Sequence, residues 1–585
     1  MKKIQTAQQI ENDQNYRDKV FYLDKQHIQR WRNINFENCS FRGDIVVGEA
    51  SNCTFTACGF SGNISIVLSN LNIEKIPKWC FAFPSVNRLK IKDYKISALP
   101  ENIAKLKNVT DLDLSFCQSL TTLRGLDLLP HLRKLNLQYC SSLSNFEDLG
   151  KIPRLLELYL ENEVCENASI LQWPNLQSLQ KLCIQNSVDR NIENLCHLIN
   201  LTHLQAPCLI GMRYSDLEVL GNLDKLKYLD LSKSISLTKT TSLSMLAQLE
   251  HLDLSYGALR KIDFSLPHLK TLKLSHCREL KDIDLLHTFT NLRSLELDNC
   301  TELEKFSIKG LRKLRHINVQ FSKTQEEIDN LSIASSELEH LNIQDCQSLK
   351  KLSRHNNYKN LKYLGLSGKM LSHFDFTEMS DLQTLDLNKV YLDKPNPSLF
   401  ANLKSMHCLK IDSYLPKMDK LDHVRELHLS YCTLDHFTPL PNIKSLHLFF
   451  CNFANESALL NWPSVEYLYI KNGSTTQYIT AVRHLNHLTS LHIEGGTLQN
   501  LDALIPMANL KELTIENCYY LENIDALVSL TNLQSLTLDV RFVNNLSCLG
   551  KLNLQSLKLI HCPQNYLDCL DNLPHTDISI FELSP

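Results

Sequence analysis

The phrase HLRKLNLQYC (131–140) decides the fold, because it returns along most of the chain with the same leucines and a final cysteine. Most successive copies begin about 22 to 24 residues apart, and about 22 copies fit between Val86 and Cys562. A period of this length indicates an array of stacked units in place of the roughly four separate domains that 585 residues would otherwise suggest. The closest copies are HLKTLKLSHC (268–277), NLRSLELDNC (291–300), ELEHLNIQDC (337–346) and NLKELTIENC (509–518).

Each phrase predicts a short β-strand followed by a return segment. Leu135 and Leu137 are one residue apart, so both point to the same side of an extended strand, while Asn136 points to the other side. The segment 141–153 must bring the chain back to the next strand within about a dozen residues, which favours short 3-10 turns and loops. One unit cannot bury its own apolar side, so stability must come from stacking on neighbouring units.

These phrases resemble the leucine-rich repeat family over about four-fifths of the chain. The stretch ISALPENIAKLKNVTDLDLS (96–115) is similar to the bacterial and plant variants of that family. The resemblance implies an α/β leucine-rich repeat solenoid, a horseshoe of about 22 repeats, with a parallel β-sheet on the concave face. Short helical or 3-10 turns and loops would cover the convex face. The repeat domain is expected at residues 81–565.

The last position of the phrase is usually a buried asparagine in that family, and here it is cysteine in nine copies. A thiol is a small donor that can fill a buried site and still reach a carbonyl, so these cysteines are interpreted as structural. Metal or redox chemistry is the alternative, but the chain has no Cys-x-x-Cys. A column of free thiols favours a reducing cytosol. The nine are Cys117, Cys140, Cys277, Cys300, Cys346, Cys432, Cys451, Cys518 and Cys562.

The two ends depart from the repeat. Residues 1–33 carry scattered apolar residues among polar ones and are predicted to form a helical N-terminal segment. Residues 34–80 are predicted to form a β-rich N-terminal cap that resembles a pentapeptide-type coil, because phenylalanines stand five apart at 36 and 41 and again at 55 and 60. The cysteines of this cap lack the tight pair that a zinc site needs. Residues 566–585 are predicted to form a C-terminal cap with a degenerate strand around Ile578 and Ile580.

Charge and hydropathy exclude several partners. The 61 basic and 64 acidic residues give a formal net charge of −3, which offers no overall attraction to nucleic acid. The first 26 residues lack the apolar run of a secretion signal. No stretch approaches the roughly 20 apolar residues that span a bilayer, so we expect no membrane insertion.

The common catalytic signatures are missing from the sequence: there is no G-x-x-x-x-G-K-[ST], G-x-S-x-G or H-E-x-x-H. Cys569-Leu570-Asp571 resembles the catalytic motif of bacterial ubiquitin ligases that carry leucine-rich repeats, but only 14 residues follow it where that family has a large domain. The chain is therefore predicted to be no enzyme, with no catalytic, cofactor-binding or metal-binding residues. An enzyme with an unrecognised site stays open as an alternative.

A binding function must then come from the exposed face of the sheet. The central outward residue is mostly polar in the first two-thirds of the array and becomes an aromatic or imidazole ring in four successive repeats. Stacking of such rings stabilises a sheet by itself, but exposed rings also supply the anchors of protein interfaces. The predicted partner-binding residues are His428, Tyr431, His447, Phe449, Phe450, Tyr467, Tyr469 and His492. A second, acidic group of outward residues is interpreted as a solvated face, with a second contact as the alternative: Asp113, Asp230, Asp253, Glu296 and Asp298.

The function indicated is non-enzymatic protein recognition. By resemblance, the chain is similar to the leucine-rich repeat effectors that intracellular bacteria such as Legionella deliver into host cells, so the implied partner is a host protein. An adaptor or regulatory subunit acting in its own cell, such as a substrate receptor of a ubiquitin ligase, is the alternative. The sequence leaves the partner's identity and the oligomeric state open.

Overall fold

The computed structural model describes most of the repeat array and divides the chain into two compact units. Unit 1 is formed by residues 1–295 and 300–303, and unit 2 by residues 296–299 and 304–585. The residues described are 10–23, 25, 28–69, 75–83, 85–92, 94–161, 174–185, 192–208, 214–303, 310–320, 335–346, 358–367, 376, 379–388, 403, 406, 408–412, 421–434, 439–452, 456–472, 475–562 and 577–581.

Unit 1 begins with nine short strands wound into a three-sided coil. The first strand of each turn pairs in parallel with the first strand of the next, with Asn15, Asn35 and Thr54 in register. The second strands form another parallel sheet, and the third strands pair onward into the sheet of the repeats. The nine are β1 (Asn15–Arg17), β2 (Val20–Tyr22), β3 (Ile28–Arg32), β4 (Asn35–Glu37), β5 (Ser40–Arg42), β6 (Ile45–Ser51), β7 (Thr54–Thr56), β8 (Gly59–Phe60) and β9 (Ile64–Ser69).

Aromatic rings fill this coil in two columns. Tyr16 stacks on Phe36 at 5.6 Å between ring centroids, and Phe36 on Phe55 at 5.1 Å. The second column joins Phe21 to Phe41 at 5.3 Å and Phe41 to Phe60 at 4.7 Å. The five-residue spacing therefore marks two sides of one coil, and the stacked rings hold successive turns together.

The predicted helical segment at residues 1–33 is wrong where the structure describes it. Residues 15–17, 20–22 and 28–32 are the strands of the first turn, so the coil begins well before the predicted boundary at residue 34. The physical reason is the spacing of Tyr16 and Phe21, which repeats that of Phe36 and Phe41 and places both rings inside the coil. The helical prediction for residues 1–9 lies outside the described residues.

Strands β10 to β31 follow the predicted phrases one for one, and within each unit the register of their described pairings is that of the repeat. In unit 1, Lys90, Asp113 and Asn136 are partners in adjacent parallel strands. The strands from β10 to β19 are β10 (Val86–Lys92), β11 (Asp111–Asp113), β12 (Lys134–Asn136), β13 (Glu157–Glu161), β14 (Lys181–Gln185), β15 (His203–Gln205), β16 (Tyr228–Asp230), β17 (His251–Asp253), β18 (Thr271–Lys273) and β19 (Ser294–Glu296).

Unit 2 carries the second parallel series, and most of its strands are longer. Strands β15 to β21 have three residues each, whereas β22 to β31 have five. The strands are β20 (His316–Asn318), β21 (His340–Asn342), β22 (Tyr363–Ser367), β23 (Thr384–Asn388), β24 (Cys408–Asp412), β25 (Glu426–Ser430), β26 (Ser445–Phe449), β27 (Tyr467–Lys471), β28 (Ser490–Glu494), β29 (Glu512–Glu516), β30 (Ser535–Asp539), β31 (Ser556–Ile560) and β32 (Asp577–Phe581).

The core lies between the strands and their return segments, as the leucine pattern predicts. Leu135 and Leu137 are 0% and 3% exposed, and Leu143 and Leu149 of the following return are 1% and 0% exposed. The described returns contain one α-helix, α1 (Thr475–Val482), and thirteen 3-10 turns. These turns are Lys78–Ala82, Glu101–Leu106, Leu126–Leu128, Glu147–Lys151, Pro174–Ser178, Ile192–His197, Tyr214–Asn222, Thr241–Met245, Asp284–Thr288, Glu456–Asn461, Asp502–Leu504, Asp525–Ser529 and Ser547–Lys551. Among the described residues, none of these helices has the length and apolar content needed to cross a bilayer.

The cysteines at the end of the phrase form a buried column, as the structural interpretation predicts. The thiol of Cys140 donates to the Leu114 carbonyl at 3.1 Å, that of Cys277 to Leu254 at 3.3 Å and that of Cys451 to Leu429 at 3.2 Å. Each acceptor belongs to the preceding repeat, so the thiols link neighbouring repeats. Burial raises the pKa of Cys140 and Cys277 to about 12, which keeps these groups as neutral thiols.

The C-terminal end adds one more strand to the series. β32 pairs in parallel with β31, and Ile578 and Ile580 are partners of Leu557 and Leu559. The rest of the predicted C-terminal cap, residues 566–576 and 582–585, lies outside the described residues, as does the Cys569-Leu570-Asp571 sequence. The boundaries of the repeat domain at residues 81 and 565 stay predictions.

Candidate functional site

The exposed face of unit 2 has three columns of outward side chains. In β26, Leu446 and Leu448 are buried, while Ser445, His447 and Phe449 project from the other side. We call these positions the first, centre and third columns of the sheet. A three-residue strand such as β20 supplies only the first two, His316 and Asn318, on either side of buried Ile317.

Four of the predicted residues lie side by side in the centre column. His428, His447, Tyr469 and His492 are register partners in β25, β26, β27 and β28. Tyr467 lies in the first column and Phe449 in the third. We call the six residues His428, His447, Phe449, Tyr467, Tyr469 and His492 the ring patch.

The rings of the ring patch contact one another in two directions. Along the centre column, His428 stacks on His447 with 3.9 Å between centroids and an angle of 4°, and Tyr469 lies 4.5 Å from His492. Across the columns, Phe449 meets Tyr469 edge to face at 5.3 Å, and Tyr467 lies 5.2 Å from His447. The patch is therefore a two-dimensional cluster, and each ring limits the movement of its neighbours.

Carboxylates fix the orientation of these rings. Glu426 in the first column contacts Nε2 of His428 at 2.6 Å and lies 3.7 Å from Nε2 of His447. The Tyr469 hydroxyl donates to Glu494, whose other oxygen pairs with Lys471 at 2.9 Å. Burial and, after it, the hydrogen bond to Glu494 raise the pKa of Tyr469. His428 and Tyr469 are thus each held by a carboxylate partner.

Burial keeps the histidines of the patch neutral near pH 7. It lowers the pKa of His447 to about 4, and it also lowers the pKa of His428 and of His492. The side chains of His428 and His447 are only 18% and 16% exposed. These imidazoles therefore offer apolar faces and single donors or acceptors, and they do not form a cationic surface.

Tyr431 and Phe450 lie at a different place, the corner where the chain leaves the strand. Both adopt left-handed backbone conformations, with φ of 54° and 52°, and their rings stack on each other at 5.1 Å. They are 64% and 39% exposed. Phe116 and Tyr139 form the same kind of corner pair in unit 1, with 4.4 Å between ring centroids. The pair at 431 and 450 thus belongs to a recurring corner column, beside the sheet face rather than on it.

Two further sets of stacked rings occupy the first column, where scanning the centre column alone does not find them. In unit 1, His203 lies 5.8 Å from Tyr228, and Tyr228 lies 6.2 Å from His251. In unit 2, His340 stacks on Tyr363 at 4.1 Å. The sequence signal was present, since each ring precedes the first inward residue of its strand. Ring stacking along one column therefore occurs at several places in the described part of this chain.

The stacked His340 predicts a loss of stability in acid. Burial, with the nearby His316 and Lys410, lowers its pKa to about 4, below the unfolded value of about 6.5. The unfolded chain then binds the proton more readily, so the stability of unit 2 should fall as the pH drops from 6.5 towards 4.

Replacing His340 by phenylalanine keeps the stack on Tyr363 and removes the titrating group. We expect a shallower loss of stability over that pH range, measured by thermal unfolding of wild type and variant. Parallel losses in the two proteins would contradict the assignment.

Three of the five acidic outward residues, Asp113, Asp230 and Asp253, have a local structural role. Asp113 accepts the backbone N–H of Ser115 at 3.0 Å, and Asp253 accepts that of Ser255 at 2.9 Å. Asn136 and Asn318 make the same bond with Gln138 and Gln320. An oxygen acceptor at this position satisfies an N–H where the short strand ends, which accounts for aspartate and asparagine there.

The structure also brings together three residues with metal-binding donors. Cys408, Glu426 and His428 lie on adjacent strands, and their donor atoms are within 4.8 Å of one another. The sequence predicted no metal site, because it has no Cys-x-x-Cys. Cys408 stands in the first column, outside the cysteine column.

The fold and the thiol column together define the class: the chain is a leucine-rich repeat solenoid. Residues 320–572 match the family model described as a leucine-rich repeat region. Two relatives are disease resistance proteins of Arabidopsis thaliana. RRS1B is 32% identical over 191 residues, 32% of this chain, and RPP2A is 30% identical over 158 residues, 26% of this chain. The matched parts are 14% and 12% of those two proteins.

A similar solved structure is that of a TLR13–ssRNA13 complex. It is 17% identical, with a TM-score of 0.46, and the match covers 88% of this chain and 87% of that one. At this similarity the RNA of that complex says nothing about the partner of the present chain.

Proposed function

We propose that the chain is a non-enzymatic recognition module that binds a protein partner through the ring patch. The observation that carries the proposal is the two-dimensional arrangement of six rings over four adjacent strands. Protein interfaces draw most of their affinity from a few large, well-packed side chains, and tyrosine is among the commonest of them. Rings already held by stacking and hydrogen bonds lose little freedom on binding, so more of their contact energy appears as affinity.

The shape of the patch favours recognition over a purely structural role. In unit 1 the rings at 203, 228 and 251 form a line in one column, which is enough to brace neighbouring strands. The ring patch instead fills all three columns, with Tyr467 on one side and Phe449 on the other. Stabilising the strands does not require that width, whereas an interface does.

The surroundings of the patch suit a folded protein partner. Adjacent strands are about 4.8 Å apart, so the patch is about 15 Å long, the size of an interface core. At its rim lie paired charges, Lys471 with Glu494 at 2.9 Å and Lys444 with Glu466 at 2.5 Å. An apolar centre with a rim of balanced charge is typical of protein interfaces, and a net charge of −3 supports a protein over a nucleic acid.

The finer proposal is a bacterial effector that binds a host protein in the host cytosol. The buried free thiols support a reducing compartment, and the resemblance noted above supports an effector. An adaptor acting in the cell that makes it is the second candidate, favoured by the similarity to disease resistance proteins. A translocation reporter fused to the chain separates them: a signal inside host cells supports the effector, and its absence supports the adaptor.

The recognition site is tested by affinity measurements on two matched triple variants. The patch variant carries His447→Ala, Phe449→Ala and Tyr469→Ala. The control carries His203→Ala, Tyr228→Ala and His251→Ala, which removes three rings from the same face in unit 1. A partner is first captured with the wild-type chain from a host-cell extract and then purified.

We expect the patch variant to bind that partner at least about 100-fold more weakly, since each lost anchor costs about 1 to 2 kcal/mol. The control should bind within about threefold of wild type. Equal affinities for wild type and patch variant, with both folded by circular dichroism, would exclude the patch as the binding site.

A further inference from the structure

We propose that Cys408, Glu426 and His428 bind one zinc-like transition-metal ion on the exposed face of unit 2. The proposal is based on three residues with different donor atoms, which adjacent strands place next to one another. It does not rest on the proposed protein recognition, although the two sites share His428.

The strand register builds the cluster. Cys408 in β24 and Glu426 in β25 are direct partners across the two parallel strands, both in the first column. His428 follows Glu426 by two residues, so its side chain leaves the same face of the sheet. The thiol sulfur, a carboxylate oxygen and an imidazole nitrogen come within 4.8 Å of one another.

These distances are close to those around a bound ion. Zinc lies about 2.3 Å from sulfur and about 2.0 to 2.1 Å from nitrogen or oxygen, so donor atoms around a tetrahedral ion are roughly 3.3 to 3.7 Å apart. Small rotations of the three side chains reach this spacing: Nε2 of His428 and the Glu426 oxygen must open from 2.6 Å, and the other donor atoms already lie within 4.8 Å of one another. Glu426 has more room to rotate than Cys408, because its side chain is 37% exposed whereas Cys408 is 5% exposed.

The donor set selects the kind of metal. One thiolate, one imidazole and one carboxylate suit a borderline-soft ion such as Zn²⁺, whereas Mg²⁺ and Ca²⁺ require oxygen ligands. Nε2 of His447 lies 3.7 Å from the same Glu426 oxygen that His428 contacts and 3.0 Å from the Ser445 hydroxyl, so it must turn away from Ser445 to supply a fourth ligand. The site would then be complete without a residue from another chain.

Binding of the ion exchanges protons for metal bonds. The thiol of Cys408 loses its proton to solvent and forms the sulfur–metal bond. In the metal-free chain, Nε2–H of neutral His428 donates to Glu426. On binding, Nε2 loses that proton to solvent and Nδ1 takes one from solvent, so that the Nε2 lone pair goes to the ion and the shared metal replaces the contact with Glu426. Burial raises the pKa of Cys408 to about 11, with Glu426 adding to this effect and Lys410 opposing it. The ion supplies the positive charge that makes the thiolate stable there.

Cys408 differs from the cysteines of the column. The thiols of Cys432 and Cys451 donate to backbone carbonyls of the preceding repeat, inside the core. Cys408 projects from the opposite side of its strand, next to Glu426. In the described part of the chain, only the position of Cys408 combines a sulfur with an acid and a histidine.

The test uses the full chain, stripped of metal with a chelator and titrated with Co²⁺ as a spectroscopic substitute for Zn²⁺. We expect one ion per chain and a sulfur-to-cobalt charge-transfer band, both displaced by Zn²⁺. Cys408→Ser should abolish the band, and Glu426→Gln and His428→Gln should each weaken affinity at least about 100-fold, since even outer partners of a metal ligand contribute 10-fold to 100-fold. Cys183→Ser, at an outward position of β14, is the matched control and should retain the band.

Retention of the band in folded Cys408→Ser, or its absence in wild type, overturns the proposal. Should the variants fail to fold, X-ray absorption of the zinc-loaded wild type decides instead. One sulfur with two or three nitrogen or oxygen ligands supports the site, and any other sulfur count overturns it. Metal binding is measured without a partner, so its failure leaves the protein-recognition proposal standing.

Discussion

Replacing Phe21 by alanine should destabilise the N-terminal coil by about 3 to 5 kcal/mol, the usual cost of removing a fully buried phenylalanine. Phe21 is 1% exposed, stacks on Phe41 at 5.3 Å and meets Tyr16 and Phe36 edge to face. The cavity would therefore open at the contact between the first and second turns of the coil. Hydrogen exchange of the amides in β1 to β9, followed by mass spectrometry, measures the loss.

The adjacent residue is the matched control. Tyr22 lies in the same strand but is 49% exposed, so Tyr22→Ala should cost less than about 1 kcal/mol. Its ring lies 5.8 Å from the Arg42 guanidinium. Equal exchange rates in the two variants would show that residues 15–32 do not form the coil described.

Replacing Cys277 by aspartate should cost about 3 to 5 kcal/mol, whereas asparagine at the same position should cost about 1 kcal/mol. The two substitutes have almost the same shape, but only asparagine can donate a hydrogen bond to the Leu254 carbonyl, as the thiol does at 3.3 Å. An ionised carboxylate would also be fully buried, because Cys277 is 0% exposed. The comparison therefore separates the effect of the hydrogen-bond donor on stability from the effect of side-chain volume.

The pH dependence gives an independent check. Burial should raise the pKa of the introduced carboxyl above its unfolded value of about 3.9. The folded state then binds the proton more strongly, so the stability of the aspartate variant should improve as the pH falls through the folded pKa. Hydrogen exchange of β17 and β18 at two pH values measures this. Equal stabilities of the aspartate and asparagine variants at pH 7 would remove the donor role from the cysteine column.

The repeat array was predictable because its signals are local and redundant. Leu135 and Leu137 alone specify a strand and its inward side, and about 22 similar phrases fix the order of the strands. The cysteines were predictable for the same reason, since one fixed position in every repeat implies one environment. The structure adds the identity of each acceptor, which depends on the neighbouring repeat and cannot be read within one phrase.

The N-terminal coil was only partly predictable. Its strands are two to seven residues long, and its partners lie about 20 residues apart, as for Asn15 with Asn35. Strand length and alternation carry little information at that scale. The corners at Asp18 and Asn38 adopt left-handed conformations, with φ of 55° and 52°, and the hydrogen bond between their side chains joins two turns. The pair Tyr16 and Phe21 was the available signal, five residues apart like the phenylalanines after it.

The candidate sites, too, were predictable where the signal lies within one repeat and not where it depends on a neighbouring repeat. The centre column followed from the phrase, so His428, His447, Tyr469 and His492 were predictable as outward residues. The contact of Glu426 with both histidines could not be predicted from the sequence, because it depends on the side-chain rotamers. The contact of Cys408 with Glu426 could not be predicted from one phrase, because it depends on the register between two strands. The corner positions of Tyr431 and Phe450 could not be predicted either, because they depend on the backbone conformation.

The five-residue strands have a consequence for how recognition can change over time. Ten strands, β22 to β31, each present three outward positions, thirty in all, while the leucines and isoleucines at the second and fourth positions stay behind the sheet. A substitution at one of the exposed positions among them alters the surface and leaves the packing of the interior untouched, whereas Cys408, Asn388 and Asp539 are outward but buried. New specificity can therefore arise by single changes on an unaltered scaffold. Related chains should differ most at these thirty positions and least at the inward residues between them.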